Sequence, residues 1–203
     1  MQLCKARPSP GRIGSLVAAA SIIALAAGCK PVSFHGTAYE PPEKAPSVVL
    51  QKASGGEFSL ADQHGSVVLL FFGYTHCPDL CPTTLTDWKR VKSALGRDAS
   101  RVRFVFISVD PARDDPATLQ RYVSRFDPDF IAATGDSATL SNIERSFHVT
   151  STHEETGSAN GYAVTHPSQT FVIDKRGELR LLYSFGMATA DVVSDIRELL
   201  RGA

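Results

Sequence analysis

Cysteine is scarce in this chain of 203 residues: there are four, too few to staple a domain of this size at several points. None is needed for that purpose, because 43% hydrophobic and 21% charged residues supply one domain with its own core. Net charge is missing too. Lys+Arg and Asp+Glu stand at 21 each, so no bulk field favours nucleic acid, and that class of partner is set aside. No internal repeat or low-complexity block interrupts the sequence.

The first 29 residues differ from the rest. Lys5, Arg7 and Arg12 precede an acid-free apolar stretch, IGSLVAAASIIALAAG, that stops at Cys29. It is shorter than the roughly 20 residues a spanning helix needs, and it reads as an export signal. LAAGC places small residues directly before the cysteine and resembles a bacterial lipoprotein signal, in which Cys29 becomes the lipid-bearing first residue after cleavage. Ala26 stands where that signal usually has Leu, and Leu25 lies one place early. The alternatives are a short uncleaved anchor and an ordinary cleaved signal. In each case residues 30–203 are expected to face the bacterial periplasm, with the membrane reached through the N-terminal anchor. Loss of residues 1–28 removes three cations and no acids, which leaves a formal charge of −3 and no basic docking surface. Cys4 leaves with the signal, so Cys77 and Cys81 are the cysteines of the folded domain.

Residues 30–47, KPVSFHGTAYEPPEKAPS, carry three prolines near their end and no apolar period and read as a flexible tether. The domain is expected over 48–203. SVVLQ is β-like, EFSLADQHG a hairpin or loop, and VVLLFFG a buried strand. TTLTDWKRVKSALG has helical spacing at Leu85, Trp88, Val91 and Leu95 and is closed by Gly96. RVRFVFISVD, DFIAATG, YAVTH, QTFVID and LRLLYSFG read as strands; PATLQRYVSRF, SATLSNIERSFHV and ADVVSDIRELLR read as helices. TSTHEETGSANG is a polar stretch without a period, and DKRGE is a hairpin turn. Strands alternating with helices predict an α/β sheet covered on both faces. A cysteine pair just after the first long strand, opening a helix, sits where thioredoxin-like folds place theirs.

The stretch FFGYTHCPDLCPTTL raises the chemical question. A four-residue spacing along a helical turn puts both side chains on one face, with Cα atoms ~6 Å apart, close enough for a disulfide. Pro78 and Pro82 restrict the loop and suit a first helical turn, whose exposed N–H groups favour thiolate. Ionised sulfur serves redox attack and metal binding alike. Spacing separates them better, since thiol-disulfide oxidoreductases of this fold usually carry C-x-x-C, and here Pro78, Asp79 and Leu80 intervene. Two thiolates suit a soft ion such as Cu(I), and an added imidazole completes a three-coordinate site that could also hold Cu(II).

Six histidines are available. His35 falls in the tether, His64 in an early turn and His153 in a polar loop, and each reads as a solvated surface residue. His148 ends a helix, and His76, adjacent to Cys77, should point away from the sulfur if the chain is extended there. His166 lies in VTHPSQTFVID, on a loop that a thioredoxin-like fold brings over the cysteine helix, with Pro167 biasing it toward extended geometry. It reads equally as a ligand and as a loop histidine before a proline.

Together these segments resemble the Sco/SenC family of copper-binding proteins, which help assemble the dinuclear copper centre of cytochrome c oxidase. FFGYTHCPDLCPTTL is similar to its C-x-x-x-C signature, SVDPARDDP to its S-[VI]-D-P-x-R-D segment, and HPSQTFVID to its histidine segment, in the same order. The resemblance implies a thioredoxin-like fold, a central mixed sheet flanked by helices, with copper as Cu(I) or Cu(II) on Cys77, Cys81 and His166. One departure is Thr165, where family members commonly have Asp. Asp110 is a candidate to orient the site or approach the metal, the plainer reading being a strand-end cap in a turn with Pro111.

Three readings follow. The first is a membrane-tethered periplasmic chaperone that passes copper to the copper-bearing subunit of cytochrome c oxidase, or to other periplasmic copper or thiol-redox proteins; it is not an enzyme. The second is a reductase in which Cys77 and Cys81 form a redox-active disulfide that keeps a partner's copper-ligand cysteines reduced, a role needing no histidine. The third is an inert structural bridge, disfavoured because so short a loop constrains the unfolded chain little.

Overall fold

The run VVLLFFG forms β4 (Val67–Gly73), in which every residue is buried, as befits a strand covered on both faces. It lies parallel to β5 (Val102–Ser108), with Val67 opposite Val102 and Gly73 opposite Ser108, and antiparallel to β9 (Thr170–Ile173). β6 (Ile131–Thr134) extends the parallel side, followed by the hairpin of β2 (Val49–Lys52) and β3 (Glu57–Ser59). On the other side come β10 (Glu178–Tyr183) and β1 (Thr37–Lys44). The order β1-β10-β9-β4-β5-β6-β2-β3 makes one mixed sheet, and β7 (Thr152–Ser158) with β8 (Gly161–Thr165) forms a separate hairpin. This computed structural model describes residues 33–158 and 161–202; the expected signal over 1–29, with Cys4 and Cys29, lies outside the described residues.

Four helices among the described residues cover the sheet: α1 (Leu80–Leu95), α2 (Pro116–Ser124), α3 (Ser137–Ser146) and α4 (Thr189–Arg201). Successive residues of β4 face opposite sides, so Phe71 meets Trp88 of α1 while Phe72 meets Phe147, just past α3. Leu85, Trp88, Val91 and Leu95 are all buried, and Gly96, at φ +59°, ends α1 in a conformation that L side chains rarely adopt. Asp115 and Asp136 cap α2 and α3 by accepting from the backbone N–H of Thr118 and Thr139, contacts each worth about 1 kcal/mol.

Two segments depart from the sequence reading. The tether expected over 30–47 contains β1, which pairs with β10 from Thr37 opposite Leu182 to Lys44 opposite Glu178. Its side chains are mostly exposed, so an edge strand carrying prolines leaves no alternating apolar signal. The polar stretch after α3 contains β7, whose residues 152–155 are exposed and equally silent.

His35 is exposed, as expected of a surface residue, but it is tied to the domain. Asp195, 1% exposed on α4, accepts from the backbone N–H of His35 (3.0 Å) and of Gly36 (2.9 Å), and lies 2.9 Å from His35 Nδ1. The hydrogen bond to Asp195 is the main cause raising the His35 pKa above its ordinary 6.5, burial opposes it, and Asp191 adds to the rise. The folded state thus favours the proton. Wild type is expected to exceed His35→Gln in urea stability by a margin that is full below about pH 6.5 and vanishes as pH rises through the raised value. A margin that grew with pH would contradict this.

Candidate metal centre

β4 delivers the cysteine loop to the end of the sheet where the parallel strands finish. α1 begins at Leu80, so Cys81 and Pro82 lie in its first turn, where a missing N–H leaves no bond unmade, whereas Cys77 and Pro78 precede the helix instead of sharing its first turn as the spacing predicted. Because β9 runs antiparallel to β4, the loop before it returns to the same end, and this brings His166 over the pair. The Sγ atoms of Cys77 and Cys81 and a ring nitrogen of His166 all lie within 4.8 Å of one another. Cys81 Sγ is 3.5 Å from His166 Nε2, and the Cys81 backbone N–H donates to Cys77 Sγ at 3.4 Å. Both cysteines are free thiols.

The imidazole is held by its surroundings. His166 Nδ1 lies 2.9 Å from the Pro167 carbonyl, to which an Nδ1–H donates, and this turns Nε2 toward the sulfurs. The ring meets Phe71 and Tyr74 edge to face at 5.7 and 5.5 Å. Thr165, where an Asp is usual in the resembled family, points elsewhere: its hydroxyl donates to Glu154 across the hairpin at 2.7 Å. The backbone oxygen of Pro167 is the hydrogen-bond partner that orients the ring.

The two thiols are unequal. Cys77, 8% exposed, is held down to about 4, chiefly by the hydrogen bond from the Cys81 thiol, against burial, with help from His166 and the N–H groups of Cys81 and Asp79. Cys81, fully buried, is pushed up, by burial first and then by its bond to Cys77. The reduced, metal-free protein should show the ultraviolet absorption of one thiolate at neutral pH, lost only near pH 4. A step near the ordinary value of 9.0 would refute that polarity.

Asp110 is fully buried but stands outside the three-residue cluster. It caps its own turn, its carbonyl accepting from the N–H groups of Arg113 and Asp114. Its carboxylate also accepts from the Tyr162 hydroxyl at 2.7 Å and pairs with Arg113. Arg113 in turn donates to the Tyr162 carbonyl at 2.9 Å and lies 3.7 Å over the Tyr162 ring. β8 is thereby pinned three residues before it ends, and His166 follows at once. Asp110 thus caps its own turn, as the plainer reading had it, and reaches the histidine segment only through Tyr162 and Arg113.

Sequence reasoning missed other supports. Asp114, fully buried, accepts from the Thr75 N–H (3.0 Å) and from the hydroxyls of Thr75 (2.5 Å) and Ser108 (2.7 Å), fixing the loop that leads to Cys77. Tyr74 meets the His166 ring, and its hydroxyl accepts from the Val164 N–H at 3.3 Å. A Cβ on Gly73 would lie 2.7 Å from Cys81 Sγ. The acidic run of SVDPARDDP and the glycine ending VVLLFFG were the available signals. The remaining histidines, His64, His76, His148 and His153, are exposed and outside the cluster; His76 Nδ1 lies 3.0 Å from the Thr75 hydroxyl.

Two soft sulfurs and one borderline nitrogen, gathered so closely, fit a single soft ion with bonds of ~2.0–2.3 Å. The family model described as SCO1/SenC matches residues 37–201. The chain belongs to the SCO1/SenC family. A SCO2-like protein of Rickettsia conorii is 34% identical over 136 residues, 61% of this chain, and the chain spans 66% of that relative's length. Among solved structures, ScoI of Bradyrhizobium japonicum with copper bound is 32% identical, with a TM-score of 0.71 over 76% of this chain and 98% of that one. Apo Sco1 of Thermus thermophilus is 36% identical, with a TM-score of 0.74 over 82% and 97%. The fold of this SCO1/SenC member is thioredoxin-like, as the placement of the cysteine pair implied.

Proposed function

We propose that this SCO1/SenC protein is a periplasmic copper chaperone, anchored through Cys29, that holds copper on Cys77, Cys81 and His166 and hands it to the copper-bearing subunit of cytochrome c oxidase. The observation that carries the reading is the convergence of His166 Nε2 on Cys81 Sγ at 3.5 Å. A reductase needs the two sulfurs but has no use for an oriented imidazole. Copper bound in ScoI of Bradyrhizobium japonicum supports the choice of metal.

Exposure suggests the order of transfer. Cys81 is fully buried, Cys77 8% exposed and His166 half-buried, so an incoming thiolate reaches the metal from the Cys77 and His166 side. Those two ligands are exchanged first and Cys81 last. A sealed cage would release metal slowly; this one is open on one face. Reduction of a partner's disulfide by the pair, in which the Cys77 thiolate and the Cys81 thiol give up two electrons and the one proton held on Cys81, would consume both sulfur donors and exclude copper. The test is an anaerobic titration followed by mixing with the metal-free acceptor domain. The reduced protein should bind one Cu(I) per chain and lose it to the acceptor, and the disulfide form should bind none. Equal binding by the disulfide form would defeat the proposal.

A further inference from the structure

The chain joins the sheet at the end that carries the metal donors. β9 is antiparallel to β4, so it begins, at Thr170, on the end where β4 finishes and the cysteines follow. β10 pairs Tyr183 with Thr170 and therefore finishes there, and β1 starts there, with Thr37 opposite Leu182. The order β1-β10-β9-β4 separates β1 from β4 by three strand spacings, ~14 Å.

This junction is fixed, not frayed. The buried Asp195 carboxylate takes the N–H groups of His35 and Gly36 together with His35 Nδ1, and Arg180 lies over the Phe34 ring, which packs against the core. Gly36 permits the approach: a Cβ there would lie 2.7 Å from the Tyr183 ring. Only six residue steps lead from Cys29 to His35, a contour of at most ~22 Å. Turning the opposite end of the sheet toward a bilayer would require that stem to run the length of the seven-residue β4, ~23 Å, and past the loops beyond it. It is too short.

The same end carries the loop from β10 to α4. That loop exposes Phe185, one of two large hydrophobic residues so exposed among the described residues, near Met187. We infer that the donor end of the sheet faces the bilayer, with Phe185 in the headgroup region, so that the metal centre works close to the lipid surface and serves membrane-bound acceptors whose own metal ligands lie near it. This rests on the reading of Cys29 as a lipid anchor. The stem and the Asp195 clasp then act as a geometric filter on partners, since an acceptor whose site stands far from the membrane is out of reach.

The test uses the full mature chain in vesicles of phosphatidylethanolamine and phosphatidylglycerol. Nitroxide labels are placed at Ser184→Cys, on the donor end, or at Asp62→Cys, in the turn before β4 at the opposite end, each exposed and each in a Cys77→Ser, Cys81→Ser background with its unfolding midpoint checked. Depth is read from relaxation by membrane-soluble oxygen against a water-soluble nickel chelate. The Ser184 label should show a several-fold higher oxygen-to-nickel ratio than the Asp62 label, and a flexible Gly-Ser spacer longer than the stem, inserted before Ser33, should remove the difference. Equal or reversed ratios in a chain that mass spectrometry shows to be lipidated at Cys29, or ratios indifferent to the spacer, would overturn the orientation alone. A chain without lipid that does not sediment with vesicles would overturn the anchor and the orientation together.

Discussion

His166→Ala should abolish tight copper retention while leaving a folded protein with two working thiols. The substitution removes the nitrogen donor that stands 3.5 Å from Cys81 Sγ, and the remaining histidines are outside the cluster. Changes that merely touch a ligand's support cost about 10–100-fold in affinity, so loss of the ligand itself should exceed that range. Stability should suffer less. The ring is half-buried, its hydrogen bond goes to the adjacent Pro167, and it forfeits two edge-to-face contacts, with Phe71 and Tyr74, worth ~1–3 kcal/mol together. Competition for Cu(I) against a chromophoric chelator, paired with urea unfolding, separates the two effects. Disulfide exchange with a small-molecule probe should persist, because both sulfurs remain. An unaltered copper affinity would show that the imidazole is a bystander, and the chaperone reading would fall with it.

Gly73→Ala should damage the centre without removing any donor. The added Cβ would lie 2.7 Å from Cys81 Sγ, 2.8 Å from Phe106 Cε2 and 2.9 Å from Phe71 Cε1. None of these atoms can simply swing away: the two rings pack on each other at 6.1 Å, and Phe71 also meets Trp88 and His166. Relief must displace Cys81, the rings, or both, and displacement of Phe71 reaches the imidazole. Overpacking of a tight core costs ~1–3 kcal/mol, and copper affinity should drop alongside. Gly135→Ala is the control, since its Cβ would press mainly on a Leu50 methyl at 2.9 Å, on a part of the sheet that carries no donor. It should lower stability with copper affinity unchanged. If Gly73→Ala left copper affinity equally untouched, the close approach of β4 to Cys81 would have no bearing on the site.

The elements most legible beforehand are those whose burial writes a period into the chain. VVLLFFG could only be a strand hidden on both faces, and Leu85, Trp88, Val91 and Leu95 marked the buried side of α1. β1 and β7 were illegible for the converse reason: their residues are largely exposed, and hydrogen bonds to β10 and β8 hold them with no apolar pattern to betray it. The supports of the site were hidden in a different way. Asp114 holding Thr75, and Asp110 with Arg113 gripping Tyr162, join residues 39 to 52 positions apart, and no local spacing encodes such partners.

By itself the amino-acid order settled the two sulfurs and the four-residue interval between them, because those are matters of local covalent geometry, and it left His166 balanced between ligand and loop residue. That His166, 85 positions on, closes over them was decided by tertiary structure. The antiparallel course of β9 beside β4 returns the chain to the end it had left, and the hydrogen bonds around Asp110, Asp114 and Tyr74 hold it there. Sheet order is a global solution to burying apolar faces, so the meeting of distant side chains follows from the whole core and not from any one segment.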